Sequence, residues 1–99
     1  MNVQIQSVKF DAGQQLLDFI QKKMDRLDRF VDDRAGDVEV TLRLDPDSEK
    51  GNKVVVVQLH VPGGDIRVEE RAFTFEEAVD NSMDIIKRQL EKAKAKFDK

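Results

Sequence analysis

The sequence has no cysteine, tryptophan or tyrosine, and only two prolines, five glycines and one histidine among 99 residues. Each scarcity removes a class of function. Without cysteine there is no disulfide framework, no thiolate nucleophile and no sulfur-ligated metal. Without tryptophan or tyrosine, with six phenylalanines spread along the chain, base-stacking recognition of single strands has little to work with. The longest uninterrupted aliphatic run, Val54–Val57, is far too short to cross a bilayer, and the N-terminus has no basic region followed by an apolar stretch. His60 stands on a predicted strand with no second histidine nearby, so a surface or packing role outweighs one as metal ligand or base. Glu69 and Glu70 are neighbours on a strand and point to opposite faces. Glu76 and Glu77 read as helix-capping residues, and Gly63-Gly64 as a turn rather than a phosphate loop. No serine has a base to activate it, so neither catalysis nor a cofactor, metal or small-molecule substrate is expected.

What is abundant is charge, and it is unevenly placed. The formal net charge is −3. From Ile85 to Lys99 six basic residues stand against Glu91 and Asp98, whereas residues 1–84 carry eleven basic and eighteen acidic residues. An acidic chain that gathers its cations on a terminal helix presents that helix to something anionic, for which a phosphate backbone is the natural partner.

Periodicity gives the order of elements, and the length suits a single domain over residues 1–99. Val3 and Ile5 alternate with Gln4 and Gln6 as a short strand. Leu16, Leu17, Ile20, Met24, Leu27 and Val31 recur every three to four residues, which predicts an amphipathic helix from about Ala12 to Val31 with Asp11 as its cap. The polar segment Asp32–Asp37 ends it. Val38, Val40, Leu42 and Leu44 alternate with polar residues as a half-buried strand. Asp45 to Lys53 reads as a hairpin tip, and Val54 to Val61 as a central strand with apolar residues on both faces. Pro62-Gly63-Gly64-Asp65 reads as a tight reversal, and Ile66 to Arg71 as the fourth strand. Thr74 with Glu77 is a capping-box pattern that opens a last helix running to about Phe97. The chain is therefore expected to be an α+β protein of order βαβββα, a four-stranded mixed sheet whose one face takes both helices.

At about 100° per residue, Arg88 and Lys92 project away from the apolar stripe of the last helix, with Lys87 and Lys94 on one shoulder and Lys96 on the other. Lys22, Arg26 and Arg29 of the first helix also face outward, with Lys23 at the boundary and Asp18, Asp25 and Asp28 interleaved. Side-by-side packing would join these faces into one basic strip.

Four stretches together resemble the ribosome hibernation-promoting factors, or ribosome-associated inhibitors, also called sigma-54 modulation proteins. They are Leu17–Phe30 with its Lys-Lys and Leu-x-x-Phe close, Val54–His60 followed by Val61-Pro62-Gly63-Gly64, Ile66–Glu70, and Lys87-Arg88-Gln89-Leu90-Glu91-Lys92-Ala93-Lys94-Ala95-Lys96. The resemblance implies a fold similar to a double-stranded-RNA-binding domain. It also implies a cytoplasmic stress and stationary-phase factor that binds the decoding channel of the small ribosomal subunit and inhibits translation. The RNA-binding residues it implies are Lys22, Lys23, Arg26, Arg29, Arg88, Lys92 and Lys96. Lys87 and Lys94 join them on the chain's own charge pattern. Partners would be the small subunit, its RNA and, for members that pair ribosomes, ribosome dimers. The chain resembles the short form, without the further C-terminal domain of long members. Ile85 stands where members often have a lysine, and Thr74-Phe75-Glu76 replaces an Asp-Met-Tyr-like helix opening. Two other readings compete: a protein-interaction module modulating transcription, and a general duplex-RNA binder, against which the acidic remainder of the chain argues.

Overall fold

The computed structural model describes residues 2–31, 36–46, 49–61 and 64–97, the last five by backbone alone. Strands β1 (Val3–Ser7), β2 (Val38–Leu44), β3 (Lys53–Val61) and β4 (Gly64–Ala72) form one sheet in the order β1-β2-β3-β4. β1 runs parallel to β2, and the other two pairings are antiparallel. Helix α1 (Gln14–Asp25) continues into a short 3-10 helix, η1 (Arg26–Arg29), and helix α2 (Phe75–Phe97) closes the fold. The expected βαβββα order is the observed one.

Both helices cover one face of the sheet. The core joins Ile20, Met24 and Leu27 from the first helical segment to Val38, Val40, Leu42, Val55, Val57, Leu59, Ile66 and Val68 from the strands and to Phe75, Val79, Met83, Ile86 and Leu90 from α2. Alternation along each strand sends the intervening residues to the open face. There Val54 and Val56 are nonetheless buried. Val54 lies between Arg43 and Arg71, and Val56 between Thr41 and Glu69, so long side chains shield them. Pairing with both β2 and β4 makes β3 central, as its two-sided apolar content implied.

Several boundaries differ from expectation. α1 starts at Gln14, and its N-cap is Gly13, whose extended backbone supplies no side-chain bond; Asp11 caps nothing. The helix does not run as α-helix to Val31, because after Asp25 the chain tightens into η1, whose one buried residue is Leu27. A 3-10 turn has three residues per turn, which rotates Leu27 and Phe30 relative to an α-helical continuation. Gly64 and Asp65 belong to β4 rather than to the turn, since Gly64 pairs with Val61. Pro62-Gly63 and the helix-ending stretch Asp32–Ala35 lie outside the described residues.

α2 opens as its sequence predicts. The Glu77 N–H donates to Thr74 Oγ1 at 3.1 Å, and the Ala78 N–H to the Thr74 carbonyl at 3.2 Å. Ser82, fully buried on the sheet-facing side, satisfies its hydroxyl by donating to the Ala78 carbonyl at 2.8 Å. Ile85 packs its side chain against the core, which accounts for an apolar residue at that position.

Candidate nucleic-acid interface

β1, β2 and β4 point the same way, so each helix that follows β1 or β4 must run back across the sheet. α1 and α2 therefore lie parallel. Two contacts between the helical segments fix their alignment. Lys23 Nζ meets Asp80 Oδ1 at 2.9 Å, and Lys87 Nζ sits 5.3 Å from the centre of the Phe30 ring. Both pairs are separated by the same 57 positions, the signature of two parallel segments in constant register. In that register Lys22, Lys23 and Arg26 lie at the level of Val79–Met83, beside the half of α2 that carries Asp80 and Asp84, and the basic half of α2 begins at the level of Phe30 and runs on past η1. Acid toward the N-terminus and base toward the C-terminus also suits the helix dipole.

The expected site residues divide by environment. Lys22, Arg26, Arg29, Arg88 and Lys92 are exposed and make no ion pair with a described residue. Lys23 is half-buried, held by Asp80 and by the face of Phe19, 5.3 Å away. It is a strut between the helices as much as a free cation. Lys87 is also half-buried, over Phe30. An exposed cation–π contact of this kind contributes about 0.5–1 kcal/mol. Lys94 and Lys96 belong to α2, but their side chains are outside the description.

The acidic residues of α1 are less intermingled than the sequence suggested. Gln14 Nε2 donates to Asp18 at 2.8 Å and Gln21 Nε2 to Asp25 at 2.9 Å, all four on one stripe of the helix. On the helical wheel that stripe is opposite the side where Phe19 and Lys23 face α2. Lys22 and Arg26 occupy the outward surface between the two edges. The α1 carboxylates are thus pushed to the far flank, and the cations of α1 and η1 lead along the helix pair into the basic half of α2, with Asp80 and Asp84 of α2 alongside the α1 part of the run.

Sequence reasoning passed over Phe30. It is 39 % exposed, an aromatic ring beneath Lys87 at the end of η1. The Leu-x-x-Phe spacing marked it, but with η1 read as α-helix there was no reason to expect it at the surface.

The open sheet face is chemically different. Arg43 meets Glu69 at 3.4 Å, Arg71 pairs with Asp45, and Gln58 donates to Asp65 at 3.2 Å. His60 lies between Asp65 at 3.1 Å and Glu39 at 3.7 Å. The hydrogen bond to Asp65 raises its pKa above 6.5, with the charges of Asp65 and Glu39 adding to that and partial desolvation opposing it. This face is a lattice of opposed charges with no excess of one sign. Among the described residues no cluster of acidic and imidazole groups could hold a metal ion, and no helix is long and apolar enough to span a membrane.

A family model described as sigma 54 modulation protein / S30EA ribosomal protein matches residues 3–98. A curated relative, the ribosome hibernation promotion factor of Deinococcus radiodurans, is 35% identical over 98 residues. The match takes in 97% of this chain and 50% of that protein, so the chain spans about half the length of the curated relative. Among solved structures, a ribosomal subunit interface protein from Coxiella burnetii superposes with a TM-score of 0.78 at 21% identity, covering 96% of this chain and 99% of that one. The N-terminal domain of Thermus thermophilus Protein Y gives 0.76 at 28% identity, covering 93% and 98%. The α+β architecture is therefore one these proteins share.

Proposed function

This chain belongs to the sigma 54 modulation protein / S30EA ribosomal protein family, and on that footing we propose that it is a non-enzymatic cytoplasmic factor that binds the small ribosomal subunit and holds translation idle. The bound position is the decoding channel, where messenger and transfer RNA would otherwise sit. The binding residues are Lys22, Arg26, Arg29, Arg88 and Lys92 on the outward surface of the helices, with Lys94 and Lys96 continuing the pattern. Lys23 and Lys87 contribute charge while bracing the two helices. Inhibition is steric, because the domain fills space that substrates need.

One observation carries this reading: the parallel helices set the exposed cations of α1 and η1 in line with the basic half of α2, which continues in the same direction past Phe30. Phosphate contacts of this kind give position and affinity without reading base identity. The acidic remainder makes the molecule strongly dipolar, so a polyanion meets it basic end first. A net negative chain with one cationic end also binds loose duplex RNA less readily than a basic protein would.

The family description also carries a transcriptional term. A protein-interaction role would fall to the open sheet face, but most of the charges there are already matched by one another. The test is co-sedimentation with separated ribosomal subunits over a salt series. Retention on the small subunit that weakens steeply with salt is the expected result. Salt-insensitive retention, or retention on the large subunit alone, contradicts the reading.

A further inference from the structure

β1 is the outermost strand and pairs only with β2. The Val38 N–H donates to the Asn2 carbonyl, and the Val8 N–H to the Leu42 carbonyl, each at 2.9 Å. A parallel ladder alternates, so Asn2, Gln4, Gln6 and Val8 turn their backbone groups toward β2. Val3, Ile5 and Ser7 turn theirs outward, and no described residue pairs with that edge. Edge strands are commonly protected by charge or proline. The opposite edge strand, β4, has such protection in Asp65, Arg67, Glu69 and Arg71. β1, with the sequence Val-Gln-Ile-Gln-Ser, has none. Its Val3 and Ile5 face the helix layer, yet they stay only half-buried at the rim of the core.

We propose that this edge is a homodimer interface, in which two copies of the chain join β1 to β1 antiparallel about a two-fold axis at Ile5. The strand fits its own copy. Centring the pairing on Ile5 sets Val3 opposite the partner's Ser7 and Ile5 opposite its equivalent, and every outward N–H and C=O then meets its complement. Gln4 falls opposite the partner's Gln6 at the closely spaced, non-hydrogen-bonded positions, where side chains interact most strongly. The seam is uncharged, so no like charges oppose each other along it. The apolar rims at Val3 and Ile5 cover one another. The flank of α1 on this side reads Gln14, Asp18, Gln21, Asp25, and a two-fold operation reverses the helix, which sets amides against carboxylates. A seam of one five-residue strand and a helix flank is small, and such contacts give weak, concentration-dependent association.

The basic surface of the helices lies away from this edge, so dimerisation and ribosome binding separate experimentally. The experiment is sedimentation equilibrium of the purified chain from micromolar to millimolar concentration. The average mass should rise from 11.4 kDa toward twice that value. Gln4 and Gln6 are exposed, so charge can be placed there without disturbing the core. Gln4→Lys with Gln6→Lys opposes like charges twice across the axis and should weaken the dimer about tenfold or more. Gln4→Lys with Gln6→Glu opposes unlike charges twice in the same register and should restore it. Circular dichroism of each variant verifies the fold. A wild-type chain monomeric at millimolar concentration overturns the proposal. So does a dimer indifferent to the double lysine variant, or a lysine–glutamate variant that dissociates as readily as the double lysine one.

Discussion

Replacing Arg88, Lys92 and Lys96 together with Glu abolishes co-sedimentation with ribosomes and leaves the thermal unfolding transition within a few degrees of the parent. The three positions recur every fourth residue, so they form a single stripe on α2. A hydrogen bond to a charged group contributes about 1.5–3 kcal/mol. Losing three such contacts weakens binding by on the order of a thousandfold or more, before the repulsion between introduced carboxylates and phosphate is counted. The fold survives because Arg88 and Lys92 are exposed and support no described ion pair. The helix dipole is felt only within the last turn, so of the three carboxylates only the one at position 96 opposes it, by about 0.3–1 kcal/mol. Arg67→Glu is a control for a single charge reversal: compared with Arg88→Glu alone, it places the same charge change at an exposed residue of β4 on the open sheet face, and should leave binding intact. Undiminished co-sedimentation of the triple variant would sink the basic-end model.

Gly51→Ala should have the largest effect on stability of any single-methyl addition. Gly51 closes the loop between β2 and β3 at a φ of +114°, a conformation that side chains with a Cβ rarely adopt. A Cβ there would lie 2.1 Å from the Ala72 carbonyl oxygen and 2.6 Å from the Phe73 nitrogen. Those are backbone atoms of the β4 exit, not a flexible side chain that could move aside. The loop is also fastened in place by the Asp45 N–H donating to the Asn52 carbonyl at 2.8 Å and by Arg71 donating to the Gly51 carbonyl at 3.4 Å. Backbone strain and steric conflict together should cost about 3 kcal/mol or more. For a chain of this length that lowers the unfolding midpoint by on the order of 15 °C. Gly13→Ala, at a position with open space and ordinary φ, should change the stability by no more than about 0.5 kcal/mol. Thermal denaturation followed by circular dichroism decides the matter, and equal midpoints for the two variants would contradict the close approach at Gly51.

The fold was largely legible because its signals are local. Alternation in Val38–Leu44, the capping pattern at Thr74 and Glu77, and the apolar stripe from Phe75 to Leu90 each specify an element without reference to the rest of the chain. What escaped depends on tertiary context. The switch from α1 to η1 has no local marker, because Arg26, Leu27, Asp28 and Arg29 suit an α-helix as well as a 3-10 turn. The Gly51 constraint is imposed by Ala72, on a strand two hairpin arms away. The candidate site was half visible. Outward-facing cations can be counted on a helical wheel, but the Lys23–Asp80 pair and the Lys87–Phe30 contact join residues 57 positions apart. Only the parallel alignment of the helices sorts bracing cations from exposed ones. It also sets the α1 and η1 cations in line with the basic half of α2, which converts two ordinary amphipathic surfaces into one candidate interface.

That interface can be located directly, since the absence of cysteine lets one introduced thiol carry a label at a single position. With Lys92→Cys bearing a tethered hydroxyl-radical source, the protein bound to intact ribosomes should cleave small-subunit RNA lining the path of messenger and transfer RNA. The same source at Arg67→Cys, on the open sheet face, should cut elsewhere and less. Cleavage confined to the large subunit or to the outer surface of the small one, or stronger cleavage from position 67 than from position 92, would contradict docking through the basic end of the helices.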